Sequence, residues 1–172
     1  MSVLPDILEP GQVTVFCGSA ASPTSAAVGA YYARPGNRFW PTLHDAGFTD
    51  RRLEPQEFRT VTSYGIGLTD LAKHEAGIDA ALSSDAYDAG ALLAKIEDCK
   101  PRHLAFTGKR PAGLFLLQTF GAGPADYGLQ DARIGETRIF VLPSPSGLAT
   151  RWWSIEPWRR LAELHRKERE RA

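Results

Sequence analysis

Cysteine is scarce. Cys17 and Cys99 are the only two in 172 residues, too few for a tetracysteine zinc or iron–sulfur centre, and Cys17 sits in an apolar stretch. Nothing in that count calls for an oxidising compartment. No apolar run approaches the roughly 18 residues that a membrane helix needs. Met1 to Pro10 lacks the basic start and apolar stretch of a secretion leader. The expectation is therefore a soluble, cytoplasmic protein. Net charge is absent as well, with 20 basic and 20 acidic residues. The four histidines, His44, His74, His103 and His165, have no mutual spacing that suggests a metal, and are read as structural or surface residues. Repeats and linkers are also missing, and the length fits one domain spanning residues 1–172.

What charge there is lies unevenly. Residues 1–150 carry 13 basic and 16 acidic side chains, and residues 151–172 carry 7 and 4. An excess this small does not hold a protein on DNA or a membrane by bulk electrostatics, so a nucleic-acid partner would need a local, shaped site. The 43% apolar content excludes a disordered chain, and a domain of this size buries roughly 70% of its unfolded surface.

Val13 to Cys17, VTVFC, is a short apolar run closing on Gly18 and reads as a buried strand. His103 to Thr107 and Arg138 to Leu142 read the same way, the first closing on Gly108 and the second on a Pro-Ser-Pro-Ser-Gly loop. Helical periodicity predicts helices over Asn37 to Ala46, Ala89 to Cys99, Lys109 to Phe120 and from Ser154 onward, with Asn37 and Ser154 as caps and the last residues, RKERERA, frayed. The Ser-, Ala-, Gly- and Pro-rich stretch Ser19 to Gly36 is long for a connection, and such loops carry function. Strands alternating with helices predict an α/β domain with a mostly parallel sheet covered on both sides. In such sheets ligands bind at the carboxyl ends of the strands. Three loops converge there: Gly18 to Pro23, Thr107 to Arg110 and Pro143 to Arg151. Tyr64 to Asp70, with its glycines and Thr-Asp pair, reads as a fourth site loop.

Several segments together resemble the uracil-DNA glycosylase superfamily, nearest its mismatch-specific uracil and thymine-DNA glycosylase branch. FCGSAAS stands where that branch has a strand and a Gly-Ile-Asn-Pro-Gly loop. Tyr32 to Trp40, YARPGNRFW, is similar to Phe-Ala-His-Pro-x-Asn-Arg-Phe-Trp, and Leu142 to Leu148, LPSPSGL, to Leu-Pro-Asn-Pro-Ser-Gly-Leu. Ala46 to Asp50 and Tyr64 to Asp70 also resemble family segments. In order, these pieces span about residues 12–165. The resemblance implies a three-layer αβα sandwich with a central, mostly parallel four-stranded sheet. It also implies a monomeric, monofunctional glycosylase without metal or cofactor, acting on DNA that contains uracil or another deaminated base. Such an enzyme flips the base into a pocket and hydrolyses its N-glycosidic bond through an oxocarbenium-like transition state. Charge on the leaving base must be stabilised, and water positioned at the far face of the sugar.

On that resemblance Gly18, Ser19 and Ala20 form the base-binding first loop, with Tyr32 stacking on the base and Phe39 beside or behind it. The family's water-orienting Asn falls on Ala20, which cannot hold water. Asp70 is the candidate replacement, a carboxylate that can align water, stabilise a cationic sugar or accept a base N–H. Its bland role is a helix cap before Leu71-Ala72-Lys73. Asn37 is a second polar candidate, with capping as its alternative role. Ser144 stands where relatives place Asn or His near the base. Ser146 and Gly147 approach phosphates, Leu148 is a candidate wedge for the vacated base position, and Arg151 with Trp152 and Trp153 lines a DNA groove or packs. Three functions stay open: excision of uracil, with a broad lesion range expected; excision of hypoxanthine or xanthine, favoured by Gly18-Ser19 and Tyr31-Tyr32; and damage binding without catalysis, favoured by Ala20.

Overall fold

The computed structural model describes residues 2–77, 87–124 and 126–171. Element order is β1 (Thr14–Gly18), α1 (Pro23–Val28), α2 (Phe39–Ala46), a 3-10 helix (Pro55–Tyr64), β2 (Ile66–Asp70), α3 (Ala89–Cys99), β3 (His103–Phe106), α4 (Lys109–Phe120), β4 (Gly128–Ile134), β5 (Thr137–Val141) and α5 (Glu156–Arg171). The strands form one sheet in the order β2-β1-β3-β5-β4. The first four of these run parallel, and β4 pairs antiparallel with β5 at the edge.

The sheet thus has five strands among the described residues, one more than expected. Strand β4, GLQDARI, has no apolar run and alternates half-buried and exposed side chains, as an edge strand with one wet face does. The segment read as a fourth site loop is mostly strand β2, in register with β1 so that Gly18 sits opposite Asp70. Its five residues are all buried, so the glycines and Thr69 fit a covered strand rather than a loop.

Alternation along β1 divides the core. Phe16 faces a cluster with Phe39, Trp40 and Leu43 of α2, Phe48 just after it, and Trp158 and Leu161 of α5. Val15 and Cys17 face the other way, onto Leu92 and Ile96 of α3 and Ala112 and Phe115 of α4. Helices on both faces of the sheet make the three layers.

Two further expectations are corrected. Leu71 to Lys73 do not start a helix. Leu71 and Ala72 N–H groups donate to the carbonyls of Gly18 and Ser19 at 2.8 and 2.7 Å, so the chain runs on beside the first loop and Asp70 caps nothing. The charged tail is helical through Arg171 because it is tied down. Arg166 donates to the Gly47 carbonyl at 2.9 Å, Arg169 to that of Ser63 at 3.0 Å, and Glu168 pairs with Arg102 and Arg171.

His103 and His165 are buried beneath the sheet. The Thr14 hydroxyl lies 3.2 Å from His103 Nδ1 and 2.8 Å from His165 Nδ1, and His165 Nε2 lies 2.8 Å from the Tyr64 carbonyl. Since Nε2 must donate to that carbonyl, His165 Nδ1 accepts from Thr14, and Thr14 accepts from His103. Both rings are neutral in this chain, and burial pulls each down to about 4.

Candidate active site

The carboxyl ends of β1, β2, β3 and β5 open into a pocket of about 360 Å³. A buried strand ending in glycine brings the backbone close to its neighbours. A Cβ on Gly18 would lie 3.2 Å from the Tyr32 hydroxyl, 3.3 Å from Asp70 Oδ1 and 3.4 Å from Thr107 Oγ1. Three polar groups from three segments therefore meet over one glycine. Tyr32 and Thr107 hydroxyls are hydrogen-bonded at 3.0 Å.

Asp70 is only 6% exposed. Its Oδ1 faces Gly18 and the pocket, and its Oδ2 lies 3.6 Å from Lys73 Nζ, itself buried. Burial raises the carboxyl to about 6, with Asp6 adding to the rise and Lys73 opposing it. At pH 7 the ionised form of such a group predominates. Burial and the Asp70 charge both push the Tyr32 phenol well above its ordinary range, so it stays a neutral donor.

Tyr32 has a left-handed backbone, φ +52°. Its ring lies on that of Phe39, centroids 3.9 Å apart and 17° from parallel. Phe39 is fully buried and does not line the pocket; it supports the tyrosine from α2. Asn37 does line it, while its Oδ1 accepts from the Phe39 N–H at 2.9 Å. Asn37 thus has its local role at the entry to α2 and keeps its amide nitrogen for the pocket.

Gly18, Ser19 and Ala20 form one wall. Ser22 caps α1, accepting from the Ser25 N–H at 3.1 Å, so the long stretch after β1 contains a helix. The opposite wall is the loop after β5. Ser144, Ser146 and Leu148 line the pocket, and the Ser144 hydroxyl accepts from the Ser146 N–H at 3.3 Å. This loop is clamped to the segment before α2: Arg38 N–H donates to the Pro145 carbonyl at 2.7 Å, and the Arg38 guanidinium to that of Ser146 at 3.2 Å. Gly147 packs against Gly36, where a Cβ would come within 3.0 Å of the Gly36 carbonyl. Gly147 and Arg151 lie outside the pocket lining. Leu148 at 61% and Trp152 at 67% exposure stand out from this loop, and the Arg151 guanidinium stacks over Trp152. Trp153 instead packs on Trp158 and under Arg38.

Sequence reading named the Thr107 loop but not Thr107 as a site residue, and it passed over Lys73 and Asp6. The one available signal for Thr107 was its place between an apolar run and Gly108. Among the described residues no three His, Cys, Asp or Glu side chains are grouped so as to hold a metal.

Two comparisons bear on this arrangement. The family model for the uracil DNA glycosylase superfamily matches residues 5–163. The fold is similar to the solution NMR structure of a Methanosarcina acetivorans protein given provisionally as a uracil DNA glycosylase. The TM-score is 0.64 at 24% identity, covering 95% of this chain and 96% of that one.

Proposed function

The chain belongs to the uracil DNA glycosylase superfamily, and from that premise we propose that it excises uracil from DNA by hydrolysis of the N-glycosidic bond. The observation that carries this reading is the convergence of Asp70 Oδ1, the Tyr32 hydroxyl and Thr107 Oγ1 over Gly18, at the floor of a pocket walled by the two loops.

In this reading the flipped base enters between the first loop and the loop after β5 and packs against Tyr32, which Phe39 holds rigid. Asn37 and Ser144 offer polar groups to the base edge. Asp70 is the catalytic residue. Its ionised Oδ1 stabilises the cationic sugar and aligns water, the work that Ala20 cannot do. A carboxylate beside an oxocarbenium-like sugar gains attraction as positive charge develops, so it favours the transition state over the ground state. Leu148 fills the vacated stack, with Ser146, Gly147, Arg151 and Trp152 against the DNA backbone and groove. Few side chains read base edges, which supports a broad lesion range.

Single-turnover cleavage of labelled uracil and hypoxanthine duplexes, scored as alkali-labile sites, tests the reading. Uracil cleavage by the parent that falls in Asp70→Asn is the expected result. Cleavage of hypoxanthine alone assigns the protein to purine repair, and binding without cleavage of either makes it a damage-binding relative.

A further inference from the structure

Behind the pocket, four charged side chains alternate in sign from the interior to the surface. Asp70 Oδ2 lies 3.6 Å from Lys73 Nζ, Lys73 Nζ lies 3.1 Å from Asp6 Oδ1, and Asp6 Oδ2 lies 2.7 Å from Lys95 Nζ. Lys73 also donates to the Tyr31 hydroxyl at 3.1 Å, and Tyr31 donates in turn to the Pro5 carbonyl at 2.8 Å. The Thr69 hydroxyl donates to Asp6 Oδ1 at 2.7 Å. Burial falls along the line: the side chains of Lys73 and Asp70 are 8% and 6% exposed, those of Lys95 and Asp6 29% and 25%.

The distances are unequal. Lys73 lies 3.1 Å from Asp6 and from Tyr31 and 3.6 Å from Asp70, so it is held more closely by the first two. A lysine held solely by Asp70 would neutralise it fully and make it a poor partner for a cationic sugar. A lysine absent altogether would leave a buried carboxyl to take up a proton. Here the ammonium is tethered to a second carboxylate and only partly committed to the first.

Resting on the glycosylase reading, we infer that Lys73 is a positioning residue for Asp70 and that Asp6 governs it, so that the charge Asp70 presents to substrate is set by an N-terminal residue outside the pocket. Other titratable groups that act on Asp70 are Cys17 on β1, Tyr31 and Tyr32 between α1 and α2, and Lys95 on α3. The thiol and both phenols are pushed upward by burial and by Asp70 itself, and stay neutral. The largest charges acting on Asp70 are those of Lys73, Asp6 and Lys95.

Removing the two partners must act in opposite senses. Lys73→Met withdraws the attracting charge, and Asp70 takes up its proton at higher pH. Asp6→Asn releases Lys73 toward Asp70 and removes a repelling charge, and Asp70 takes up its proton at lower pH. Lys73→Arg keeps the charge. A merely structural tie between the N-terminal segment and β2 would lower stability in each variant without moving the Asp70 midpoint in opposite directions.

The test is a carbon-13 carboxyl NMR titration of Asp70 in the full chain and these three variants, with single-turnover uracil excision measured over the same pH range. The expected midpoints move up by about one pH unit in Lys73→Met and down by about one in Asp6→Asn, and stay near the parent value in Lys73→Arg. The acid limb of the excision rate follows them. An unmoved midpoint in Lys73→Met, or displacement of both variants in one direction, overturns the inference. If Lys73→Met fails to fold, as a thermal melt would show, Asp6→Asn decides, and an unchanged or raised midpoint there overturns it. A parent that cleaves nothing refutes the glycosylase reading, while the NMR midpoints still judge the role of Lys73.

Discussion

The ring of Tyr32 lies almost flat on that of Phe39, at 3.9 Å between centroids, while its hydroxyl is bonded to Thr107 at 3.0 Å. One face of the ring is taken by the core and its polar edge by Thr107, the residue after β3, so the tyrosine is a fixed wall and not a mobile flap.

Tyr32→Ala is expected to weaken capture of an extruded base by about 1–3 kcal/mol, the worth of one stacking platform. Tyr32→Phe keeps the ring and loses only the bond to Thr107, worth about 0.5–1.5 kcal/mol of folding stability. Fluorescence titration with a uracil duplex and thermal melts separate the two. Equal binding defects in both variants would transfer the role from the ring to the hydroxyl.

Asp70→Asn should lower single-turnover excision by about 10-fold or more, within the range for positioned acid–base groups. Because burial holds the carboxyl near 6, the parent rate should fall as pH drops through that value, and the variant should lose this limb. A folded variant with the parent's rate and pH profile removes Asp70 from the chemistry.

Gly18→Ala inserts a methyl within 3.4 Å of the Tyr32 hydroxyl, Asp70 Oδ1 and Thr107 Oγ1 together. The methyl occupies the point where those three groups meet. Excision should fall by about 10-fold or more, since misplacement on the ångström scale is that costly. A rate matching the parent's would show that nothing reacts at that point.

Ala20→Asn restores the residue that the resemblance expects, yet it should not raise uracil excision. The wall it joins already faces a buried carboxylate, and crowding costs about 1–3 kcal/mol in a packed site. Parent and variant are compared on the same uracil-containing single strand and duplex. An inactive parent with an active variant would end the assignment of the water to Asp70.

Acid should unfold the protein through its histidines. His103 and His165 titrate near 4 when folded, below their ordinary 6.5, so the unfolded chain binds more protons. Their contribution is complete above about 6.5 and is lost as pH falls toward 4. Asp70, raised to about 6, acts the other way over part of that window, and two histidines outweigh one carboxyl. Melting temperature should drop between pH 6.5 and 4, more steeply in Asp70→Asn and less in His165→Gln. A flat profile would contradict the buried neutral pair.

What the sequence determined by itself was whatever depends on neighbours within a few residues. VTVFC ending in Gly18, HLAF before Thr107 and RIFV before Pro143 are apolar runs that extended chain buries on both faces, and α/β connectivity then places their ends together. The resemblance of the two loops followed from residues standing next to one another. Tertiary structure decided the rest, because it concerns groups distant in sequence. Strand β4 exists because β5 offers it an edge, and its own alternation is too polar to announce it. The end of α5 is helical because Gly47, Ser63 and Arg102 receive its charges. Asp70 acquired its surroundings from Lys73 three residues on and from Asp6, Lys95 and the Tyr32 hydroxyl, drawn from three distant segments. A carboxylate's proton affinity is set by burial and by charges a few ångströms away, and only the folded chain brings those together.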